Sequence, residues 1–159
     1  MTKKHIVHIG TESMLIRDFI EFVNEVDVEN RHLYFVWKKK DVPLMSRNQS
    51  IILQRYSLFS MLLQPFLLRR LFKELSRADI IILHGLNEIF TMLLILLRPS
   101  LFREKGVWFY WGAELHKFKS PELNLKTKLL LLIQTKTVQN IGYLAVGIPG
   151  EYDDIRTFF

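Results

Sequence analysis

Two runs of this chain leave little choice about its fold. Residues 79–84 read Asp-Ile-Ile-Ile-Leu-His, and residues 106–111 read Gly-Val-Trp-Phe-Tyr-Trp. Neither alternates apolar with polar, so neither can lie with one face in water. Each predicts a strand buried on both faces, the condition of a parallel sheet covered by helices. A glycine follows each run, Gly85 and Gly112, where the backbone turns without the steric cost a side chain imposes.

Strand and helix signals alternate around these runs. Residues 5–9 predict a short strand closed by a turn at Gly10. Thr11 or Ser13 can cap the helix after it, in which Leu15, Phe19, Phe22, Val23 and Val26 recur at helical spacing. Residues 32–37, rich in aromatic and β-branched side chains, predict a second strand, and residues 51–53 a short third. Residues 57–77 predict a long apolar helix, kinked or broken at Pro65. A helix is expected over 87–97. Another is expected from Ser120-Pro121-Glu122, where serine caps, proline loses no bond and the acid meets the positive dipole end, to about Val138. A last strand over 141–146 precedes a helix opened by Pro149. The alternation predicts an α/β domain with a Rossmann-like, mostly parallel sheet and helices on both faces.

At 159 residues the expectation is one domain. With 49% of residues apolar the chain has the material for a core, and with no cysteine it has no thiol chemistry and no thiolate metal site, which suits a reducing cytoplasm. Lys and Arg number 22 against 16 Asp and Glu, so the formal charge of +6 favours anionic partners. Met1-Thr2-Lys3-Lys4 does not open a signal peptide. The longest apolar stretch, Ile89 to Leu97, falls well short of the roughly 20 residues a membrane span needs. Lys38-Lys39-Lys40, without interleaved aromatics or glycines, reads as a solvated loop and not as a nucleic-acid contact. There is no Walker loop, no GxGxxG after the first strand and no HExxH, so neither a cofactor nor a metal is expected.

Ligands of parallel α/β sheets bind beyond the carboxyl ends of the strands. That rule selects Gly10-Thr11-Glu12, His84-Gly85-Leu86-Asn87, Trp111-Gly112-Ala113-Glu114 and Gly147-Ile148-Pro149-Gly150. Glu114 and His116 follow the aromatic strand within five residues of Trp111, and a carboxylate and imidazole there could activate a hydroxyl as general base. They equally fit a capping acid and a surface histidine. His84 closes an apolar strand in the same way. His5 and His8 read as structural. Arg69, Arg70 and Lys73 follow the apolar part of the 57–77 helix, a pattern that suits partial insertion at an anionic membrane surface. The pattern also suits a buried helix with a basic end favoured by its dipole.

The stretch Trp108-Phe-Tyr-Trp-Gly-Ala-Glu-Leu-His116, with His84-Gly85 upstream and Gly150-Glu151-Tyr152 downstream, resembles the TDP-N-acetylfucosamine:lipid-linked-acceptor N-acetylfucosaminyltransferases, the 4-alpha-L-fucosyltransferases of enterobacterial common antigen synthesis. The resemblance departs after Gly10, where the segment before the first helix is shorter. It implies the N-terminal domain of a GT-B glycosyltransferase, with residues 1–159 as the acceptor-binding Rossmann-like domain and the C-terminal nucleotide-sugar domain absent from them. It implies a nucleotide-sugar donor held by that other domain and a polyprenyl-diphosphate-linked saccharide as acceptor. It also implies a peripheral location at the cytoplasmic face of the inner membrane. Glu114 or His84 would deprotonate the acceptor hydroxyl; Gly10, Thr11, Gly85, Asn87, Trp111, Gly112 and His116 would line its site. The other reading is a non-catalytic Rossmann-like or flavodoxin-like module acting through protein partners.

Overall fold

A computed structural model describes residues 2–11, 13–38, 50–54, 65–112, 124–147 and 150–158. The elements are β1 (His5–Thr11), α1 (Met14–Val26), β2 (Arg31–Lys38), β3 (Ser50–Gln54), α2 (Pro65–Arg77), β4 (Ile80–His84), α3 (Ile89–Leu97), α4 (Pro99–Lys105), β5 (Gly106–Tyr110), α5 (Leu125–Val138), β6 (Tyr143–Val146) and α6 (Glu151–Phe158). The strands follow the order β3-β2-β1-β4-β5-β6. β1 with β2, β2 with β3, and β5 with β6 run parallel. This is the α/β, Rossmann-like arrangement expected from the buried apolar runs. Among the described residues no helix is long and apolar enough to cross a membrane. The chain divides into two compact units, Met1–Ile82 and Leu83–Phe159.

In the first unit β1 and β2 bury nearly every side chain, Ile6 to Gly10 on one and His32 to Trp37 on the other. Gly10 makes no turn. It lies inside β1 opposite Val36, because the apolar run of β2 carries the parallel pairing on to Thr11 and Trp37. Ser13 caps α1, its Oγ accepting from Ile16 N at 3.2 Å. The buried face of α1 is Ile16, Ile20 and Val23, whereas Leu15, Phe22 and Val26 are 54%, 58% and 61% exposed. A helix turns about 100° per residue, so Asp18 stands about 60° from the Leu15–Phe22–Val26 stripe. Turning that stripe inward would drag Asp18 toward the core. The isoleucine stripe faces away from Asp18, Glu21 and Glu25, all exposed, and packs without that cost.

Pro65 is the first described residue of α2, so the expected kink or break there falls on residues outside the described ones. Residues 57–64 of the expected helix lie outside the described residues. Leu71 and Leu75 are the buried face of α2. Its end is tied to the start of β1: Asp79 N donates to the His5 carbonyl at 2.8 Å, and His5 N donates to Asp79 Oδ2 at 2.8 Å. β4 therefore begins at Ile80, one residue later than expected.

The second unit contains one helix the sequence reading did not foresee. α4 starts at Pro99 and ends in Arg103 and Lys105, a favourable charge at a helix C-terminus. Gly142 N donates to the Phe102 carbonyl at 3.0 Å. A Cβ on Gly142 would collide with the Arg103 carbonyl, so the approach of α4 admits only glycine there. β6 consequently begins at Tyr143, after that contact. α5 begins at Leu125, and its cap is Asn124, whose Oδ1 accepts from Thr127 N and Thr127 Oγ1 at 2.9 Å each. The expected start at Ser120-Pro121-Glu122 lies outside the described residues, as does Pro149; α6 begins at Glu151.

Candidate functional site

The apolar strands β4 and β5 each end in a turn that needs glycine. Gly85 has φ of 86° and Gly112 of 83°, the left-handed region that side chains disfavour. His84 is the last residue of β4, and Trp111 is the first after β5. The His84 ring stacks on Trp111 at 6.1 Å and 26°, and it meets Phe109 at 6.1 Å. Phe109 and Trp111 are 4.7 Å apart. The Tyr110 hydroxyl donates to the Gly112 carbonyl at 2.8 Å and fixes the turn after β5. The second unit thus holds His84, Gly85, Trp111 and Gly112 together, with Trp111 and Gly112 half-buried and Asn87 exposed.

His84 itself is 6% exposed. Burial disfavours its imidazolium and lowers its pKa from 6.5 to about 4. At neutral pH the ring is uncharged and a weak base. It is better suited to holding Trp111 in place than to taking a proton. Glu114 and His116 lie outside the described residues. Gly10 and Thr11 belong to β1 of the first unit, with Gly10 buried and Thr11 half-buried.

Spacing along the chain does not betray a second polar cluster, in the first unit. His32 Nε2 lies 3.1 Å from Asp27 Oδ2, and His32 Nδ1 lies 2.9 Å from His8 Nε2. His8 stacks on Tyr34 at 4.4 Å and meets Phe19 edge-on at 5.8 Å. If His32 Nε2 donates to the carboxylate, its Nδ1 is left to accept from His8 Nε2, a chain of contacts from carboxylate to ring to ring. Hydrogen bonds from the Asn30 side chain, then from its backbone and from His32, lower the pKa of Asp27 against the raising effect of burial. Both imidazoles are buried, His8 at 2% and His32 at 5% exposure. Only the register of β1 on β2 brings the two histidines together. The two rings belong to the core, and the cluster reaches the surface at Asp27, whose side chain is 32% exposed.

A concavity of about 710 Å³, lined by Thr2, Lys3, Lys4, Glu29 and Asn30, sits where β1 and β2 begin. That is the wrong edge for a ligand site in a parallel sheet. Among the described residues no group of three or more His, Asp or Glu could hold a metal ion. On α2, Arg69, Arg70, Lys73 and Arg77 are all exposed and share the side opposite Leu71 and Leu75, with Phe66 86% exposed at the start.

No protein-family model, curated protein or solved structure matches this chain.

Proposed function

We propose that the chain is the acceptor-side half of a GT-B glycosyltransferase. It would transfer a deoxyamino- or deoxyhexose from a nucleotide-sugar to a polyprenyl-diphosphate-linked saccharide at the cytoplasmic face of a membrane. The observation that carries the reading is the His84–Trp111 stack beside two positive-φ glycines at the exits of β4 and β5. An aromatic face beside open backbone suits a sugar ring, which needs an apolar platform and polar groups at its rim. The stretch from Trp108 to His116 that resembles the fucosaminyltransferases runs through this point of the chain.

In the proposed reaction the acceptor hydroxyl attacks the anomeric carbon while the bond to the nucleoside diphosphate breaks. The proton passes to Glu114, two residues beyond Gly112. His84, neutral and weakly basic, is a positioning residue that holds Trp111. The donor is bound by a second domain outside residues 1–159, and no metal is required. The test uses protein expressed from the complete open reading frame, a panel of nucleotide-deoxysugars and a polyprenyl-diphosphate saccharide. Transfer of one sugar supports the reading, and no transfer from any donor overturns it.

A non-catalytic module acting through protein partners is the second reading, favoured by the exposed apolar stripe Leu15, Phe22 and Val26 on α1. It predicts a stable protein complex and no transfer.

A further inference from the structure

α5 is built inside out. Gln134 and Thr137 on this helix are fully buried, while Leu125, Leu129 and Leu132 are 84%, 56% and 57% exposed. The three leucines fall at i, i+4 and i+7, within about 40° of a common line along the helix, and Gln134 lies on the opposite side. The charges on α5 are Lys126, Lys128 and Lys136, with no acid anywhere in residues 125–138. Lys126 stands about 100° to one side of the stripe and Lys128 about 60° to the other, while Lys136 continues the stripe at its end.

We propose that this face of α5 is a membrane-docking surface that seats its leucines in an anionic lipid bilayer. The occupant follows from the flanks. Lysines on both sides of an apolar stripe can extend their aliphatic stems along it and deliver their ammonium groups to phosphate headgroups, so apolar burial and charge neutralisation reinforce each other. α2 differs: its exposed face carries Arg69, Arg70, Lys73 and Arg77 but only Phe66 as an apolar group, which supports attraction and not insertion. The inference rests on the membrane-surface part of the reading above and not on sugar transfer.

The chain has no cysteine, so Leu132→Cys offers a unique site for an environment-sensitive dye, with Glu25→Cys on exposed α1 as the control. With vesicles containing phosphatidylglycerol, the dye at position 132 should shift to the blue and the dye at position 25 should not. Leu129→Ser with Leu132→Ser should weaken binding to those vesicles on the order of tenfold or more, since two apolar side chains leave the lipid. Circular dichroism should stay unchanged because both positions are exposed. Lys126→Gln with Lys128→Gln should weaken binding and flatten its salt dependence.

Unchanged vesicle binding by the leucine variant overturns the inference, as does an unshifted dye at position 132. If the leucine variant turns a dimer into a monomer while vesicle binding holds, the face belongs to a second copy and the inference falls. Loss of binding on Arg70→Glu with Lys73→Glu, with the leucine variant binding as the parent does, overturns it too and leaves α2 as the membrane contact. No binding of the parent chain to any vesicle removes both. Failure of sugar transfer to a soluble acceptor analogue sinks the glycosyltransferase reading and leaves vesicle docking standing.

Discussion

His84 stands at the end of β4 with 6% of its surface exposed, and burial holds its pKa near 4. Its pH dependence follows from this. Below pH 6.5 the unfolded chain takes up a proton there, and the folded chain does not until near pH 4. The folded state therefore keeps this stability above pH 6.5 and loses it as the pH falls through that window. Between pH 7 and pH 5 the loss from His84 is about 2 kcal/mol. His84→Phe should lack that part of the loss in urea unfolding at the two pH values, and equal pH dependence in parent and variant would refute the assignment. Glu114 is tested separately in the complete enzyme. If it is the general base, Glu114→Gln should cut turnover by roughly 10²-fold with little change in Tm. If it is a helix cap, turnover should hold while stability drops by about 1 kcal/mol.

At the scale of elements, α4 and α5 carry the least expected packing. Gly142→Ala would push a methyl group into the Arg103 carbonyl, and neither backbone can yield cheaply. The variant should lose about 2 kcal/mol or more of stability. Gln134 has no hydrogen-bond partner for its amide oxygen or nitrogen among the described residues, and it is fully buried. Stranding such a group costs about 1–3 kcal/mol, so Gln134→Leu should raise the urea midpoint by a stabilisation in that range. A destabilised variant would mean the amide has a partner. Both changes are read by chemical denaturation followed by circular dichroism.

For the whole molecule, the charge of +6 and the exposed cations of α2 predict binding to anionic surfaces. Co-sedimentation with phosphatidylglycerol vesicles should fall steeply as salt rises, because exposed charges are screened over about 10 Å at 0.1 M salt. Equal binding to neutral and anionic vesicles would remove the role of the α2 cations, and binding to neither would remove the membrane from the proposed function. The strand order β3-β2-β1-β4-β5-β6 is compatible with many chemistries, since function belongs to sites and not to folds.

Much of this architecture was legible in the sequence. Uninterrupted apolar runs such as 79–84 and 106–111 can satisfy burial only as inner strands, and glycine after each has few rivals in a left-handed turn. Those are local constraints, and they placed His84, Gly85, Trp111 and Gly112 at strand exits correctly. What stayed hidden was every choice between local equivalents. α1 has two apolar stripes, and only the sheet and the acids on the far side decide that Ile16, Ile20 and Val23 turn inward. α4 is too short to announce itself by periodicity, yet its docking explains why residue 142 has no side chain. His8 meets His32 because parallel register sets β1 against β2, a relation between distant segments that no spacing encodes. The outward leucines of α5 belong to the same class: apolar and polar side chains alternate round the helix with no single apolar face, and only tertiary packing decided that Gln134 goes inside while Leu125, Leu129 and Leu132 face out.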